Sequence, residues 1–251
     1  MNKAATETNP SKQDLFLECR DFFDDKWQLY QKVLLNNYMK HQESYQVVKS
    51  LLQNSKISNF SLLDLGCGDA SFISQALQGT NVRNYLGLDI SQTAIQIAHQ
   101  NISRLSCQYT FIEGDILSTI YSLKSTDSSD WEYDFIISSF AFHHFSSQQK
   151  EQLFHQIANL LSADGKFILI DFLLKETETR DNYINNYLKY VKHNWQALTK
   201  PEINLITEHM WNSDYPETQT NLMNMSIKSG FRKSEFLSSN QDLAQVCCFS
   251  F

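Results

Sequence analysis

The stretch LLDLGCGDAS, residues 62–71, decides the fold of this chain. It completes an apolar run, residues 59–65, that predicts a short buried strand, and residues 71–77 predict a helix directly after it. Between the two, Gly66 and Gly68 let the backbone turn tightly and approach a ligand closely. Ligands of doubly wound sheets bind at the carboxyl ends of the strands, so this turn predicts a binding site.

The chain continues to alternate between predicted strands and helices after this unit. Further strands are predicted over residues 84–89, 109–113, 133–138 and 165–172, and further helices over residues 91–101 and 147–161. Apolar strands joined to helices by short turns are typical of a parallel sheet that is covered on both faces. The fold class is therefore predicted to be α/β, with a doubly wound sheet.

Two flanking segments depart from this alternation. Residues 1–58 are predicted to be a disordered tail followed by an N-terminal helical cap, and residues 59–251 to be the ligand-binding domain. Within that domain, residues 173–215 predict a helical insertion that is rich in aromatic side chains. Two strand-like runs, near residues 234–237 and 246–251, follow the insertion and close the chain.

Composition excludes several classes of protein. The 251 residues carry a net charge of −7 without any basic run, whereas nucleic-acid binding normally needs a basic surface, so no nucleic-acid partner is expected. No apolar stretch reaches the roughly 18 residues of a membrane span, and the first residues lack a secretory signal. Five cysteines without a CxxC pair suit neither a disulfide framework nor a zinc site. We therefore expect a reduced, cytoplasmic protein.

Two kinds of nucleotide ligand are candidates for the turn at residues 66–68, which we call the glycine turn. A dinucleotide site needs a third glycine, and this position is Ser71. Asp64, Asp69, Asp89 and Asp115 are all expected near the same edge of the sheet, which disfavours a pyrophosphate. A ligand with positive charge suits such a site better. S-adenosylmethionine, with its sulfonium and ammonium groups, is such a ligand.

The sequence resembles the class I S-adenosylmethionine-dependent methyltransferases. The matching segments are LLDLGCGDAS (62–71), YLGLDIS (85–91), FIEGDIL (111–117), YDFIISSFAFHHF (133–145) and LLSADGKFILID (160–171). The resemblance implies a Rossmann-like seven-stranded sheet whose last strand is antiparallel. One departure is Ala70, where the family commonly has glycine, a change between small residues that should be tolerated.

The resemblance also implies how the methionine and ribose parts of the cofactor are bound. Gly66, Cys67 and Gly68 should contact the methionine part through their backbone, and Asp64 should lie near its amino group. Asp89, at the end of the second predicted strand, should accept hydrogen bonds from the ribose hydroxyls. The alternative for Asp89 is a carboxylate that only caps the following helix.

The adenine and methyl ends of the cofactor are assigned in the same way. Asp115 should accept from the exocyclic amine of adenine, although a turn aspartate is a common alternative. Ile90 and Ile116 should sandwich the ring. Ser139 and Phe140, after the fourth predicted strand, should border the sulfonium and the methyl acceptor.

Catalytic residues are harder to assign from the sequence. His143 or His144 could take a proton from the acceptor, but such a His-His-Phe run is frequent in this family even where no base is established. A metal site from His143, His144 and Asp171 has no ligand spacing behind it, so no metal is expected. Tyr30, Tyr38 and His41 either reach the acceptor side or merely pack a helix on the sheet, whereas Phe140 is expected on the acceptor side.

These observations lead to a prediction of function. We expect a methyltransferase that passes a methyl group from S-adenosylmethionine to an oxygen, nitrogen or carbon atom of a small-molecule acceptor. Residues after Ile137 read Ser-Ser-Phe-Ala rather than the Asn/Asp-Pro-Pro-aromatic run of enzymes that methylate planar amines. The alternatives are a non-catalytic relative that acts through cofactor or protein binding, and a nicotinamide oxidoreductase. The sequence leaves the acceptor, the pathway and the oligomeric state open.

Overall fold

The computed structural model describes residues 26–125, 132–237 and 244–251. Within these ranges no helix is both long and apolar enough to cross a membrane. The predicted disordered tail lies outside the described residues. The helical cap is described from residue 26 onward and consists of two helices, α1 (Trp27–Leu35) and α2 (His41–Gln53).

The predicted alternation of strands and helices is confirmed. The elements that build the sheet and its covering layers are β1 (Phe60–Leu65), α3 (Ser71–Leu77), β2 (Val82–Asp89), α4 (Gln92–Ile102), β3 (Gln108–Glu113), α5 (Ile116–Ser125), β4 (Tyr133–Ser139), α6 (Ser147–Leu160) and β5 (Leu161–Asp171). A short 3-10 helix, Phe142–His144, connects β4 to α6. Local signals explain several boundaries: the Ser91 side chain accepts from the Ala94 N–H at the start of α4, as an N-cap serine should.

The carboxyl-terminal part adds three helices and four strands. They are β6 (Leu173–Leu174), α7 (Arg180–Asn194), α8 (Lys200–Ser213), β7 (Glu217–Thr218), α9 (Gln219–Lys228), β8 (Lys233–Phe236) and β9 (Gln245–Ser250). Helices α7 and α8 confirm that the insertion is helical. Its ends are tied together by a small parallel pair, β6 and β7, which the sequence does not predict because two residues are too short to show a period.

The main sheet has seven strands in the order β3-β2-β1-β4-β5-β9-β8. Strands β1 to β5 are parallel, whereas β9 runs antiparallel to both β5 and β8. The order reverses between β1 and β4, since the chain moves from β1 outward to β3 before it returns. Such a switch point opens a crevice at the carboxyl ends of the strands. The predicted seven-stranded α/β fold is therefore confirmed.

Both faces of the sheet are buried, which explains why the strands read as apolar runs rather than alternating ones. Along β1, Leu62 contributes to the core under α2, α3, α4 and α7, and the next residue, Leu63, contributes to the core under α5, α6 and α9. Ile168 and Leu169 of β5 divide in the same way. The two cores fix the sheet between the helical layers, so its carboxyl edge is a rigid platform.

Candidate active site

A cavity of about 970 Å³ opens at the carboxyl edge of the sheet. One end is lined by residues that follow β1, β2, β3 and β4, and the other by residues of α1, α7 and α8. Ligand pockets range from about 300 to 1,000 Å³, so this cavity lies at the upper end of that range. It has room for a nucleoside-sized ligand and a second molecule beside it.

The glycine turn after β1 is built for close approach. Gly66 has a φ of +78°, and a Cβ placed there would lie 2.7 Å from the Cβ of Ala141. Gly68 also has a positive φ, but a Cβ there would meet no atom within 4 Å. A residue with a Cβ at position 66 would therefore clash with Ala141, so this position needs glycine. Gly68, in contrast, presents open backbone in the cavity wall. Ala70 has a left-handed backbone with a φ of +53°, which explains why a glycine suits this position.

Asp89 holds this turn in place. Its Oδ2 accepts from the Gly68 N–H at 2.7 Å, and its Oδ1 accepts from the Ser91 N–H at 2.9 Å. The carboxylate thus joins the ends of β1 and β2 while lining the cavity. Asp115 lines the cavity as well, and its Oδ2 accepts from the Ser118 N–H at 2.8 Å, so it caps α5. Both acids carry a structural hydrogen bond in addition to any contact with a ligand.

Asp64 lies behind the glycine turn rather than in the cavity wall. It is fully buried, and its Oδ2 accepts from the Tyr85 hydroxyl at 2.8 Å. Its Oδ1 is buried without a hydrogen-bond partner among the described residues. Burial raises the pKa of Asp64 to about 7, the hydrogen bond from Tyr85 opposes the shift, and the charge of Asp89 adds to it. A buried carboxyl with an unsatisfied oxygen is prepared to meet a cation.

The far end of the cavity is walled by aromatic and aliphatic side chains from the cap and the insertion. They include Trp27, Leu29, Tyr30, Val33, Phe172, Tyr187, Trp195, Leu205, Ile206 and Met210. The Tyr38 ring stacks on Trp195 with a centroid distance of 4.9 Å, and its hydroxyl accepts from the Ala197 N–H. Lys32 of α1 also pairs with Glu202 of α8 at 2.5 Å. These contacts join the cap and the insertion into one wall.

Histidines and aspartates meet where β4 and β5 end against α8. Asp171 accepts from the His143 backbone N–H at 2.8 Å and lies 2.6 Å from His143 Nδ1. Across the ring, His143 Nε2 lies 3.8 Å from Oδ1 of Asp214. His144 Nδ1 and His209 Nε2 approach the same Asp214 oxygen at 3.5 Å and 3.7 Å. These three histidines and Asp214 line the cavity.

Opposing electrostatic effects act on this cluster. Burial alone lowers the pKa of His143, but the charges of Asp171 and Asp214 outweigh it and raise that pKa. Burial lowers the pKa of His209 to about 4, and His144 contributes to that shift. Burial would raise the pKa of Asp214, yet the three histidines lower it. The electrostatics of the cluster therefore favour a proton on His143.

The structure brings most of the predicted site residues to one cavity. Those that line it are Gly66, Gly68, Asp89, Ile90, Asp115, Ile116, Ser139, Phe140, His143, His144 and Tyr30. Asp64, Cys67, Tyr38 and His41 do not line it. His41 is buried and packs between Phe72 and Phe140, with centroid distances of 5.0 Å and 4.5 Å. Burial lowers the pKa of His41 to about 3, which favours a neutral ring at this position.

Sequence reasoning missed several residues of the cavity. His209 and Asp214 lie five positions apart at the end of α8, and neither belongs to a recognisable motif. Trp27, Tyr187 and Trp195 are seen in the sequence only as members of aromatic-rich helical segments. Periodicity predicts that such helices exist, but it does not predict which ring faces a ligand.

Comparison with known proteins identifies the central part of this chain. Residues 62–165 match the family described as "Methyltransferase domain". This span runs from β1 into β5 and contains both the glycine turn and the His-His pair. The chain therefore carries a methyltransferase domain of the class I S-adenosylmethionine-dependent family, as the resemblance implies, and not a nicotinamide-binding domain. It is an S-adenosylmethionine-dependent methyltransferase.

Individual relatives are distant. The chain is 25% identical to an uncharacterized methyltransferase of Oceanobacillus iheyensis over 66% of this chain and 72% of that protein. It is 23% identical to a phosphoethanolamine N-methyltransferase of Plasmodium falciparum over 74% of this chain and 66% of that protein. Magnesium protoporphyrin IX methyltransferase of Synechocystis PCC 6803, solved with bound SAH, superposes with a TM-score of 0.61 at 17% identity over 93% and 98% of the two chains. That last likeness shows the fold alone.

The cofactor of this class, S-adenosyl-L-methionine, fits the residues at the sheet end of the cavity. The glycine turn exposes backbone at Gly68, and two carboxylates, Asp89 and Asp115, line the adjacent wall. Behind the turn, the unsatisfied oxygen of Asp64 suits a nearby ammonium group. Acidic groups around a cationic ligand agree with the charge argument drawn from the sequence.

Proposed function

We propose that this methyltransferase acts on a small molecule with an apolar body, bound between the cofactor and the wall formed by α1, α7 and α8. The single observation that carries the proposal is the shape of the cavity, which runs without interruption from the glycine turn to this aromatic wall. Its volume of about 970 Å³ suits two small ligands side by side. A macromolecular acceptor would instead need an open groove.

The residues at the sheet end would hold the cofactor. Gly66, Gly68 and Asp64 would take the methionine part, with Cys67 acting through its backbone. Asp89 would accept from the ribose hydroxyls with the lone pairs that its bonds to Gly68 and Ser91 leave available.

The adenine and methyl ends follow along the same wall. Ile90 and Ile116 would sandwich the ring, and Asp115 would accept from the adenine amine. Ser139 and Phe140 would separate cofactor from acceptor. Phe140 has a left-handed backbone with a φ of +53°, and such strain is concentrated at functional sites.

The acceptor end offers aromatic surface with a few unsatisfied donors. Trp27 Nε1, Trp195 Nε1 and the Tyr187 hydroxyl are buried without a hydrogen-bond partner among the described residues. Buried polar groups are normally paired, and because these three atoms are closed to solvent an acceptor would bond them only after wall side chains move. An acceptor with a ring or chain and a few oxygen atoms would satisfy the wall.

The chain accelerates transfer mainly by positioning. S-adenosylmethionine would supply an electrophilic methyl group, and an oxygen, nitrogen or carbon nucleophile of the acceptor would take that methyl in line while S-adenosylhomocysteine leaves. Holding two reactants in one orientation is worth up to about 7–11 kcal/mol. The aromatic wall excludes water and fixes the acceptor. His143 would accept the proton that the nucleophile loses, at Nε2, while Asp171 holds the opposite ring nitrogen.

The first test is calorimetric titration of the cofactor-stripped protein with S-adenosylmethionine and adenosylhomocysteine, with NAD(H) as the control ligand. We expect binding of the two adenosyl ligands only. A panel of small aromatic and aliphatic acceptors is then screened by mass spectrometry for the gain of a methyl group. Cofactor binding without transfer to any acceptor would favour a non-catalytic role for this chain.

Tyr187→Phe sharpens the test because it removes one hydroxyl and keeps the ring. We expect this variant to raise KM for the acceptor and to leave the affinity for adenosylhomocysteine unchanged. A loss of cofactor affinity in Tyr187→Phe would instead place the cofactor against α7, contrary to the proposal.

A further inference from the structure

We propose that His143, His144 and Asp214 bind a divalent transition-metal cation, with Zn²⁺ as the representative ion, in the wall of the methyltransferase cavity. Nothing in the spacing of these residues along the sequence predicts this site. It exists because the 3-10 helix after β4 and the end of α8 meet in space. The site does not depend on the identity of the methyl acceptor, but an ion on His143 Nε2 would occupy the atom proposed above as proton acceptor, so the two roles of that atom are alternatives.

The geometry of the three side chains suits one ion. One ligand atom from each of His143, His144 and Asp214 lies within 4.8 Å of the other two. Zinc binds imidazole nitrogen and carboxylate oxygen at about 2.0–2.2 Å, so two ligands of a tetrahedral ion lie about 3.4 Å apart. The distances from Asp214 Oδ1 to His144 Nδ1 and His143 Nε2 are 3.5 Å and 3.8 Å. His144 Nδ1 also lies 3.2 Å from the Ser213 carbonyl oxygen, so binding an ion would exchange that contact for the metal and draw the ligand atoms closer together.

Asp214 supplies the second, independent observation. The residue is 5% exposed, and its Oδ1 is buried without a hydrogen-bond partner among the described residues. That same oxygen faces both histidines and a third, His209, whose Nε2 lies 3.7 Å away. An unsatisfied buried carboxylate oxygen surrounded by imidazoles is the arrangement a metal ion completes.

The surroundings hold the ligands in position. Asp171 lies 2.6 Å from His143 Nδ1, which leaves Nε2 directed toward Asp214. Carboxylates commonly orient a metal-binding histidine in this way. Arg180 donates to the Asp214 carbonyl at 2.6 Å and to the carbonyls of Met210 and Trp211, which fixes the end of α8. Asp171 and Arg180 are therefore positioning residues.

The charges around the cluster also favour a bound cation. Two buried carboxylates, Asp171 and Asp214, face the cluster, and buried charges need a compensating partner, which a proton on His143 provides in part when no ion is bound. The nearby buried cation, Lys150, pairs with Glu217 at 3.4 Å and donates to the Tyr215 carbonyl. A bound dication would neutralise the two carboxylates. Imidazole with carboxylate ligands suits zinc, iron, cobalt and nickel rather than magnesium or calcium.

The test is a calorimetric titration of the chelator-treated, tag-free protein with Zn²⁺ alone. We expect one ion per chain, and Co²⁺ bound at the same site should give the intense visible absorption of a four- or five-coordinate ion. His144→Gln and Asp214→Asn should each weaken Zn²⁺ binding at least tenfold. His155→Ala, which removes an exposed histidine of α6, is the matched control and should bind Zn²⁺ as the wild type does.

Two outcomes would overturn the site. One is wild-type binding below one ion per chain, or with no visible Co²⁺ absorption. The other is a Zn²⁺ affinity that changes no more in His144→Gln than in His155→Ala. Circular dichroism shows whether each variant is folded. If Asp214→Asn does not fold, the Zn²⁺ affinity of His144→Gln alone tests the site. Asp171→Asn should weaken Zn²⁺ binding and alter the Co²⁺ spectrum while leaving one ion bound, as expected of a positioning residue.

Discussion

The two ends of the cavity are built in different ways. At the sheet end, the residues belong to short contiguous segments such as the turn 66–68 and the pair Asp89 and Ile90. At the far end, the wall combines side chains from three helices that are remote in sequence, and the histidine cluster joins β4, β5 and α8. The first end serves a ligand that the whole methyltransferase class shares. The three helices that form the wall of the second end lie outside residues 62–165, the span that matches the family.

At the sheet end, the largest loss of cofactor binding is expected for Gly66→Ala. The added Cβ would lie 2.7 Å from that of Ala141, and the φ of +78° is unfavourable for alanine. We expect methyl transfer and adenosylhomocysteine binding to fall below detection by calorimetry. Gly79→Ala is the matched control, because Gly79 has a similar φ of +77° but lies outside the cavity lining. Equal cofactor affinity in Gly66→Ala and wild type would refute this placement of the turn.

At the far end, the largest loss of activity is expected for His143→Ala. Loss of a positioned proton acceptor lowers kcat by roughly 10²–10⁴-fold, and we expect a loss in this range with adenosylhomocysteine affinity unchanged. Once an acceptor is known, steady-state kinetics and calorimetry measure the two quantities separately. His144→Ala tests whether its neighbour contributes. Full activity in both variants would exclude His143 and His144 as proton acceptors.

The pH dependence of stability probes the sheet end behind the turn. The pKa of Asp64 is about 7 in the folded protein against 3.8 for a free side chain. Because the folded state binds the proton more tightly, the free energy of unfolding should fall as pH rises from about 4 to 7. The difference between the two pKa values corresponds to a decrease of about 4 kcal/mol in the free energy of unfolding between low pH and pH 7. We expect this decrease to be absent in Asp64→Asn. Thermal unfolding of the cofactor-free protein across this range measures it, and parallel profiles for the two proteins would contradict it.

A smaller effect is expected for Asp89→Ala. The variant loses a carboxylate that bonds Gly68 and Ser91 and that would accept from the ribose. Charged hydrogen bonds of this kind are worth about 1.5–3 kcal/mol, so cofactor affinity should fall at least tenfold. Asp134→Asn is a suitable control, because Asp134 lies near the start of β4 and bonds Ser61 and Ser162 instead. An unchanged affinity in Asp89→Ala would remove the ribose from this position.

The smallest effect is expected for Ala70→Gly. A left-handed backbone costs a residue with a Cβ roughly 1–2 kcal/mol, and the greater flexibility of glycine in the unfolded chain offsets about 0.5–1 kcal/mol of that. We therefore expect a gain in stability between zero and about 1.5 kcal/mol, with cofactor affinity unchanged. Chemical denaturation measures the change. A clear destabilisation would show that the Ala70 methyl, which is 3% exposed, contributes more by packing than it costs in strain.

Sequence reasoning succeeded where neighbouring residues in the chain determine the structure. The helix over residues 71–77 and the strand ending at Asp89 were both predictable, since each follows from local periodicity and a turn residue. The antiparallel last strand followed from the family resemblance and is confirmed. The position of Asp64 was less predictable. Its motif suggests contact with a ligand, whereas the structure buries it behind the glycine turn.

The sequence by itself determined the class of fold, the glycine turn and the acids beside it, because a strand end and the following helix start lie within a few residues of each other. Only the tertiary structure decided which aromatic rings face the cavity and that Asp214 meets His143 and His144. Those contacts depend on how α7 and α8 pack over the sheet. That packing is set by many apolar contacts distributed along both helices, and none of them leaves a local pattern that specifies its partner.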